Sequence, residues 1–303
     1  MYRSLGLVGL SLLWVLHSQA QPQSTPDTVL QARLDSLVHG FSGTVGLYVR
    51  HLSTGRTVAI NADVVFPSAS LIKVPILVKT FDAISKSKLG YHQRIIYRDT
   101  LRTVGAGLLS AFKNGSEVEV SEALMLMTAM SDNTAALWLQ HLAGGGKAVN
   151  GWLKVNGFKE TRVNAGTPGR LKQWKQYNWG QTTPREMAEL LVMIREGRAV
   201  SPSASEEMYR LLTRSYWSTE ALSQIPPYVQ AASKQGSVAR ARSEVVLVNA
   251  PHGDYVFCLM TSDQEDESWG SDNEGFVLLR DVSRTLWQHF EPDADWQPTA
   301  FGK

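Results

Sequence analysis

Strand-like runs lie at both ends of this chain and helix-like runs fill its middle, and this order limits the possible folds more than any other feature. Near the start, "GTVGLYVRHLSTGRTVAI" alternates at Val45, Leu47 and Val49, breaks at Ser53-Thr54-Gly55 and resumes at Val58 and Ile60, which is a hairpin pattern. Near the end, "EVVLVNAPHGDYVFCLMT" holds two more apolar runs around a turn at Asn249 to Asp254. An isolated hairpin is barely stable in water, so the two ends are expected to pair into one antiparallel sheet. From Leu71 to about Leu212, "LIKVPILVKTFDAI", "SEALMLMTAM", "NTAALWLQHLAGGG" and "PREMAELLVMI" space their apolar residues at three and four, which predicts a helical lobe beside that sheet. The groove between two such lobes is the natural place for a site.

The flanks supply further helices. "TPDTVLQARLDSLVHGF" puts Leu30, Leu34, Leu37 and Val38 on one face, with Thr25 and Pro26 as start signals, and "NEGFVLLRDVSRTLWQHF" closes the chain as a helix. Thr183-Pro184-Arg185-Glu186 reads as a capping box: an N-cap hydroxyl, a proline at the first helical position and a glutamate at the third. Ahead of all this, "MYRSLGLVGLSLLWVLHSQA" carries Arg3, an apolar run from Leu5 to Leu16 and small residues at Ser18 and Ala20. It reads as a secretory signal over residues 1–20, cleaved after Ala20, since the apolar run is shorter than the roughly 20 residues that span a bilayer.

With 43% hydrophobic and 19% charged residues the remainder has ordinary globular composition. The formal net charge is only +2, one unit of it from Arg3, so nucleic acid and anionic membrane surfaces are not expected partners. Cys258 is the only cysteine, which excludes an internal disulfide and reads as a buried strand thiol. The seven histidines are scattered without metal-ligand spacing, so no metal and no cofactor is expected.

"FPSASLIKVP", Phe66 to Pro75, stands between the strand-like and helix-like regions and is open to two readings, a helix start and a nucleophile. A serine hydroxyl is a weak nucleophile until a base lies beside it, and residues three apart in a helix share a face, so Lys73 can reach Ser70. Burial beside a helix N-terminus would leave that lysine a usable amine near neutral pH. Spacing alone does not select this pair, since Ser85 with Lys88 and Ser110 with Lys113 repeat it. Ser-Asp-Asn also occurs twice, at Ser131-Asp132-Asn133 and at Ser271-Asp272-Asn273, the second placed to cap the final helix. Context separates the copies: only Lys73 is carried inward by an apolar helix, Ser131 comes from a loop between two apolar helices, and "SKQGS", Ser233 to Ser237, is expected just before a strand.

"SLIK", "SDN" and "KQG" in that order resemble the Ser-x-x-Lys, Ser-Asp-Asn and Lys-Thr-Gly elements of class A β-lactamases and penicillin-binding proteins, and "TAMSDNTAALWL" and "TTPREMAELL" extend the likeness over nearly all the chain. The resemblance implies an α+β fold of β-lactamase/D,D-peptidase type, with a five-stranded antiparallel sheet flanked by helices plus an all-helical lobe. One catalytic domain over 21–303 would then hold two lobes, 21–65 with 213–303, and 66–212. It implies Ser70 as the acylated nucleophile, Lys73 as its base or proton relay, Ser131 as proton donor to the leaving nitrogen, and Lys234 as the positive charge facing a substrate carboxylate. Asn133, Gln235, Gly236 and Ser237 would bind substrate, with the amides of Ser70 and Ser237 as oxyanion hole. The expected partner is a small β-lactam or a D-Ala-D-Ala-like peptide, the expected state a monomer, and the expected place the periplasm. A D,D-peptidase or esterase is the first alternative, and a β-lactam-binding sensor that keeps its acyl group the second.

Two departures qualify the resemblance. Gln235 stands where the family has Thr or Ser, which leaves Ser237, Arg240 or Arg242 to meet the substrate carboxylate. From His141 to Arg185 the only carboxylate is Glu160, too early to match the family's water-activating Glu, whose place falls near Gly166. Slow deacylation follows as an expectation, with Lys73 or Glu160 as the groups that could otherwise activate water. Together with "GAGLL", Gly105 to Leu109, this points to a branch of β-lactamase-like serine hydrolases. Trp174, Tyr177 and Trp179 in the same segment are expected at the site rim, either stacking on substrate or covering a core.

Overall fold

The computed structural model describes residues 23–298, so the signal read at residues 1–20 lies outside the described residues. The described chain opens with a two-residue strand, β1 (Thr25–Pro26), and a helix, α1 (Thr28–Val38). Asp27, rather than Thr25 or Pro26, caps that helix, its Oδ1 accepting from the Leu30 amide at 3.0 Å. Leu30 and Leu34 are buried while Leu37 turns toward solvent. The expected hairpin follows as β2 (Thr44–His51) and β3 (Arg56–Ile60). A short strand, β4 (Phe66–Pro67), and one 3₁₀ turn (Ala69–Ile72) then lead into α2 (Lys73–Ser85).

The middle of the chain is helical, with a small hairpin of β5 (Arg94–Ile96) and β6 (Glu117–Glu119) at its edge. Then come α3 (Val120–Ala129), α4 (Asn133–Leu142) and α5 (Gly145–Val155). A loop closed by β7 (Arg162–Val163) and β8 (Gly180–Thr182) contains the seven-residue α6 (Leu171–Tyr177), and β8 also pairs with β4. α7 (Pro184–Arg195) and α8 (Pro202–Leu212) complete the helices of the middle. Strands return as β9 (Ala231–Val238), β10 (Ala241–Val248) and β11 (Tyr255–Ser262), and α9 (Glu274–Phe290) follows.

The main sheet runs β1-β3-β2-β11-β10-β9. β2 pairs with β11 in antiparallel register from Tyr255↔His51 to Ser262↔Thr44, so the two distant ends do share one sheet. The sheet has six strands rather than five. Backbone bonds from Thr25 to Gly55 (3.0 Å) and from Asp27 to Thr57 (2.9 Å) add β1 as a parallel edge beside the five antiparallel strands. The other shift is at "SKQGS", which lies inside β9 and not before it, in register with β10 from Val238↔Ala241 to Ala231↔Val248.

Alternation along the strands sends two sets of side chains to two cores. Leu47, Val49, Val246, Val248, Phe257 and Leu259 pack with α1 and α9 on one face. Tyr48, Val245, Leu247, Val256, Cys258 and Met260 pack on the other, against the core of the helical lobe. Asn273 caps α9 as its position suggested, accepting from the amides of Gly275 and Phe276. The expected capping box on α7 forms only by half: Thr183 accepts from the Glu186 amide at 3.1 Å, but the Glu186 carboxylate is drawn to other donors. It accepts from the amides of Lys159 (2.6 Å) and Thr161 (2.7 Å) and from the Thr161 hydroxyl (2.6 Å), which fixes the start of the loop that ends at β8.

The sheet meets the helical lobe tightly at Gly46 in β2, where an added Cβ would lie 2.4 Å from the fully buried Phe66 ring and 2.9 Å from Pro184. Neither neighbour has room to withdraw, so Gly46→Ala is expected to destabilise the protein by about 1–3 kcal/mol, read as a lower urea midpoint with an unchanged slope.

Candidate active site

Ser70 lies in the 3₁₀ turn that precedes α2, and the turn type sets its geometry. Three residues per turn place i and i+3 above one another, so Lys73 Nζ meets Ser70 Oγ at 2.9 Å. Ala69, just before, has φ +43, a left-handed conformation that costs a non-glycine residue on the order of 1–3 kcal/mol and is held by the packing around it. Gly236 of β9 lies against this turn so closely that an added Cβ would come within 2.8 Å of the Ser70 amide nitrogen. The backbone of β9 at Gly236 is thereby brought alongside the Ser70 amide.

Lys73 is 1% exposed and reaches four acceptors: Ser70 Oγ, the Ser131 carbonyl at 2.6 Å, Ser131 Oγ at 3.0 Å and Asn133 Oδ1 at 2.7 Å. An ammonium has three protons, so at least one of these contacts is better made by a neutral amine that accepts a hydroxyl proton. Burial, and next the charge of Lys234, hold the Lys73 amine well below its usual range. Ser131 occupies a left-handed position (φ +56) between α3 and α4, which turns its side chain back toward both lysines. Asp132 builds that turn instead of facing the cluster. Its carboxylate accepts from the amides of Ala135 (2.8 Å), Leu108 (2.6 Å) and Leu109 (2.7 Å), and so also anchors the Gly105–Leu109 loop.

Lys234 closes the cluster from β9. Its Nζ donates to Ser131 Oγ at 3.0 Å and to the Gln235 carbonyl at 2.7 Å, and burial brings its pKa down to about 7 despite the opposing charge of Glu244. Two amines sharing one hydroxyl do not both stay protonated at low cost, so they titrate as a coupled pair. Four of the residues singled out in sequence, Ser70, Lys73, Ser131 and Lys234, thus form one hydrogen-bonded chain, with Asn133 attached to it.

A cleft of about 470 Å³ opens onto this chain, lined by Ser70, Ser131, Asn133, Gln235, Gly236 and Ser237. Trp217, Glu220, Trp269 and Phe276 also line it, and nothing in their spacing marked them in the sequence. Trp217 is placed by its indole N–H, which donates to the Met130 carbonyl next to Ser131 at 3.2 Å. Neither arginine suggested as a carboxylate partner is free for that role. Arg242 is fully buried, stacked 4.5 Å from Trp269 and 4.7 Å from Phe276, and bonded to the Ala241 and Ser268 carbonyls. Arg240 bonds the carbonyls of Asp263 and Gln264. Gln235 and Ser237 remain.

The 161–183 loop brings no carboxylate to the cluster. Glu160 is exposed at its start, with its amide bound to Glu186, so it is not the group that faces Lys73. Gly166 has φ +60 and faces Gln140, and Arg170 is turned to Asn164 (2.6 Å) and Gln181 (2.8 Å). Of the loop aromatics, Trp174 is exposed, whereas Trp179 packs on the helical core with its ring centroid 5.7 Å from Lys73 Nζ. Glu220, the one carboxylate in the cleft lining, is held by Thr219 and Arg280. Among the described residues, no group of three His, Cys, Asp or Glu side chains could hold a metal ion.

Because Gly236 is packed on the Ser70 amide, Gly236→Ala is expected to slow modification of Ser70 by an acylating probe about 10²-fold or more while the protein stays folded, measured by intact mass against time with circular dichroism as the control.

The model of the beta-lactamase enzyme family matches residues 29–290. Beta-lactamase VEB-1 of Pseudomonas aeruginosa is 24% identical over 94% of this chain and 96% of its own length. The solved structure of PBP-A superposes with a TM-score of 0.81 at 29% identity, covering 90% of this chain and 100% of that one. A leucine-to-glutamate mutant of PBP-A, solved as its acyl-enzyme complex with penicillin G, superposes with a TM-score of 0.80 at 29% identity, covering 89% and 99%.

Proposed function

Since the chain belongs to the beta-lactamase enzyme family and is a serine hydrolase of that type, we propose that it opens a β-lactam amide through an acyl-Ser70 intermediate and releases the acyl group slowly. The observation that carries this reading is the buried Lys73 amine in contact with Ser70 and Ser131 at once, with no carboxylate among the described residues bonded to either. Lys73 takes the Ser70 proton as Oγ attacks the carbonyl carbon. The oxygen of the tetrahedral intermediate lies between the amides of Ser70 and Ser237. The proton then passes from Lys73 through Ser131 to the leaving nitrogen as the C–N bond breaks, leaving the acyl ester on Ser70 and a neutral lysine. Lys234 acts through its charge, holding Ser131 and attracting a substrate carboxylate that Gln235 and Ser237 complete. Penicillin G as the acyl group of a PBP-A mutant supports a β-lactam as the acylating agent. The charged and apolar pattern of residues 1–20 supports export to the periplasm.

The second step needs a base for water. Losing a positioned general base typically costs on the order of 10² to 10⁴ in rate, or roughly 3 to 5 kcal/mol of barrier. That same lack favours one further reading, in which a peptide or ester is the turnover substrate and a β-lactam merely acylates Ser70.

With a chromogenic cephalosporin, ring opening is expected as a burst of one equivalent followed by a slow steady state, with an adduct mapped to Ser70 and absent in Ser70→Ala. Fast, linear turnover without adduct would refute slow deacylation, and an adduct formed at the wild-type rate in Ser70→Ala would refute the nucleophile.

The two lysines are expected to respond in opposite ways to pH and to arginine. Acylation should rise with pH as Lys73 loses its proton and fall as Lys234 loses its own near 7, giving a bell-shaped profile. An arginine stays protonated, so Lys73→Arg should nearly abolish acylation while Lys234→Arg keeps much of it and loses the falling limb, as measured by stopped-flow rates between pH 5 and 9.

A further inference from the structure

Lys73 needs dry surroundings to serve as a base, and the cleft itself is open on the side of Ser70 and Ser131. Trp179 does not line the cleft; it approaches Lys73 from the 161–183 loop, with its ring centroid 5.7 Å from Nζ. Its backbone is fixed from both directions. The Trp179 carbonyl accepts from the amides of Asn164 (2.8 Å) and Ala165 (3.0 Å), and the next residue, Gly180, accepts from the Ser68 amide at 2.9 Å, two residues before Ser70. Asn178, just before it, has φ +56 and ψ −131, an unfavourable conformation for a residue with a side chain. A strained residue beside a carbonyl that accepts two amides, with a third bond at Gly180, indicates that the loop is shaped to present this indole at this place.

We propose that Trp179 is a positioning residue for the acylation step: its indole closes the loop side of the Lys73 amine against water, leaving the amine to face Ser70, Ser131 and Asn133. The proposal rests on the reading of Lys73 as the base for Ser70. Burial is the first cause of the lowered Lys73 basicity, and the indole is the loop side chain whose ring lies 5.7 Å from the amine. The charges acting on Lys73 come from Lys234 on β9, which disfavours its ammonium, and from Asp132 before α4, which favours it. Arg170 on the loop is turned to Asn164 and Gln181, Lys79 of α2 and Lys86 just after it both pair with Asp82, and Glu122 of α3 is bound to the Glu119 amide. Glu206 and Glu207 of α8 pair with Arg210. A ring face also attracts an ammonium, which acts in the opposite direction, so the two effects of Trp179 are separable by substitution.

Titration of the full protein labelled with ¹³C-lysine, with the Lys73 resonance assigned by its loss in Lys73→Arg, tests this without relying on acylation. In Trp179→Ala water enters, and the Lys73 midpoint is expected to rise by about one unit. In Trp179→Leu, which excludes water but has no ring face, it should stay within about 0.3 units of wild type. A midpoint unmoved or lowered in Trp179→Ala overturns the proposal, as does a Leu variant that rises as far as the Ala variant. If Trp179→Ala does not fold, Trp179→Gln brings a hydrated amide to the same place, where a raised midpoint supports the proposal and an unmoved one overturns it. The rising limb of the acylation profile should move with the resonance. A wild type that takes no acyl group overturns the reading of Ser70 and leaves the lysine titration to judge Trp179 alone.

Discussion

The arrangement of this protein depends on keeping one primary amine dry. A lysine removed from water without a carboxylate bound to it favours its neutral form, and the chain surrounds Lys73 with acceptors and apolar walls that make such a state tolerable. The 3₁₀ turn stacks Ser70 over it, the left-handed Ser131 turns a hydroxyl toward it, and Asn133 supplies an amide oxygen. Lys234 on the far side of Ser131 adds a second buried amine, so that protonation of one opposes protonation of the other. Strain at Ala69, Ser131 and Asn178 is concentrated around this one group.

The sheet gives the cluster its rigidity. β9 is an edge strand, yet its residues 233–237 are held by β10 in continuous register, and β10 is held in turn by the central pairing of β11 with β2. A side chain on a strand is located more firmly than one on a loop, and Lys234 is held in this way beside Ser131. The helical lobe supplies what must come from several directions at once: α2 for Lys73, the α3–α4 turn for Ser131 and Asn133, and the 161–183 loop for Trp179. Glu186 and Asp132 are the carboxylates that hold these turns together, each accepting backbone amides from a separate segment.

Gln235, the paired Glu220 and the aromatic side chains of Trp217, Trp269 and Phe276 line the cleft, and Arg242 stacks behind the last two. The loop opposite the cleft adds no carboxylate. The cluster is built of hydroxyls, amines and one amide, and the one carboxylate of the cleft lining, Glu220, is held by Thr219 and Arg280.

Periodicity by itself determined the main elements of this fold. Alternation marked β2, β3, β10 and β11, spacing at three and four marked the helices, and the fact that both strand groups are too small to stand alone required them to pair. It also supplied the serines and lysines of the cluster, because the type and order of such residues are sequence properties. What it did not determine depended on neighbours distant in the chain. β1 exists because Gly55 and Thr57 offer it partners, and "SKQGS" lies within a strand because β10 runs beside it. Glu186 left its own helix N-cap for the amides of residues 159–161, and Arg242 was removed from candidacy by two aromatic faces. Trp179 looked like its neighbours Trp174 and Tyr177 along the sequence; the bonds that fix its carbonyl and that of Gly180 turned it inward onto Lys73. Local chemistry is encoded by residue type and spacing, whereas burial and hydrogen-bond partnership are set by segments that only the folded chain brings together.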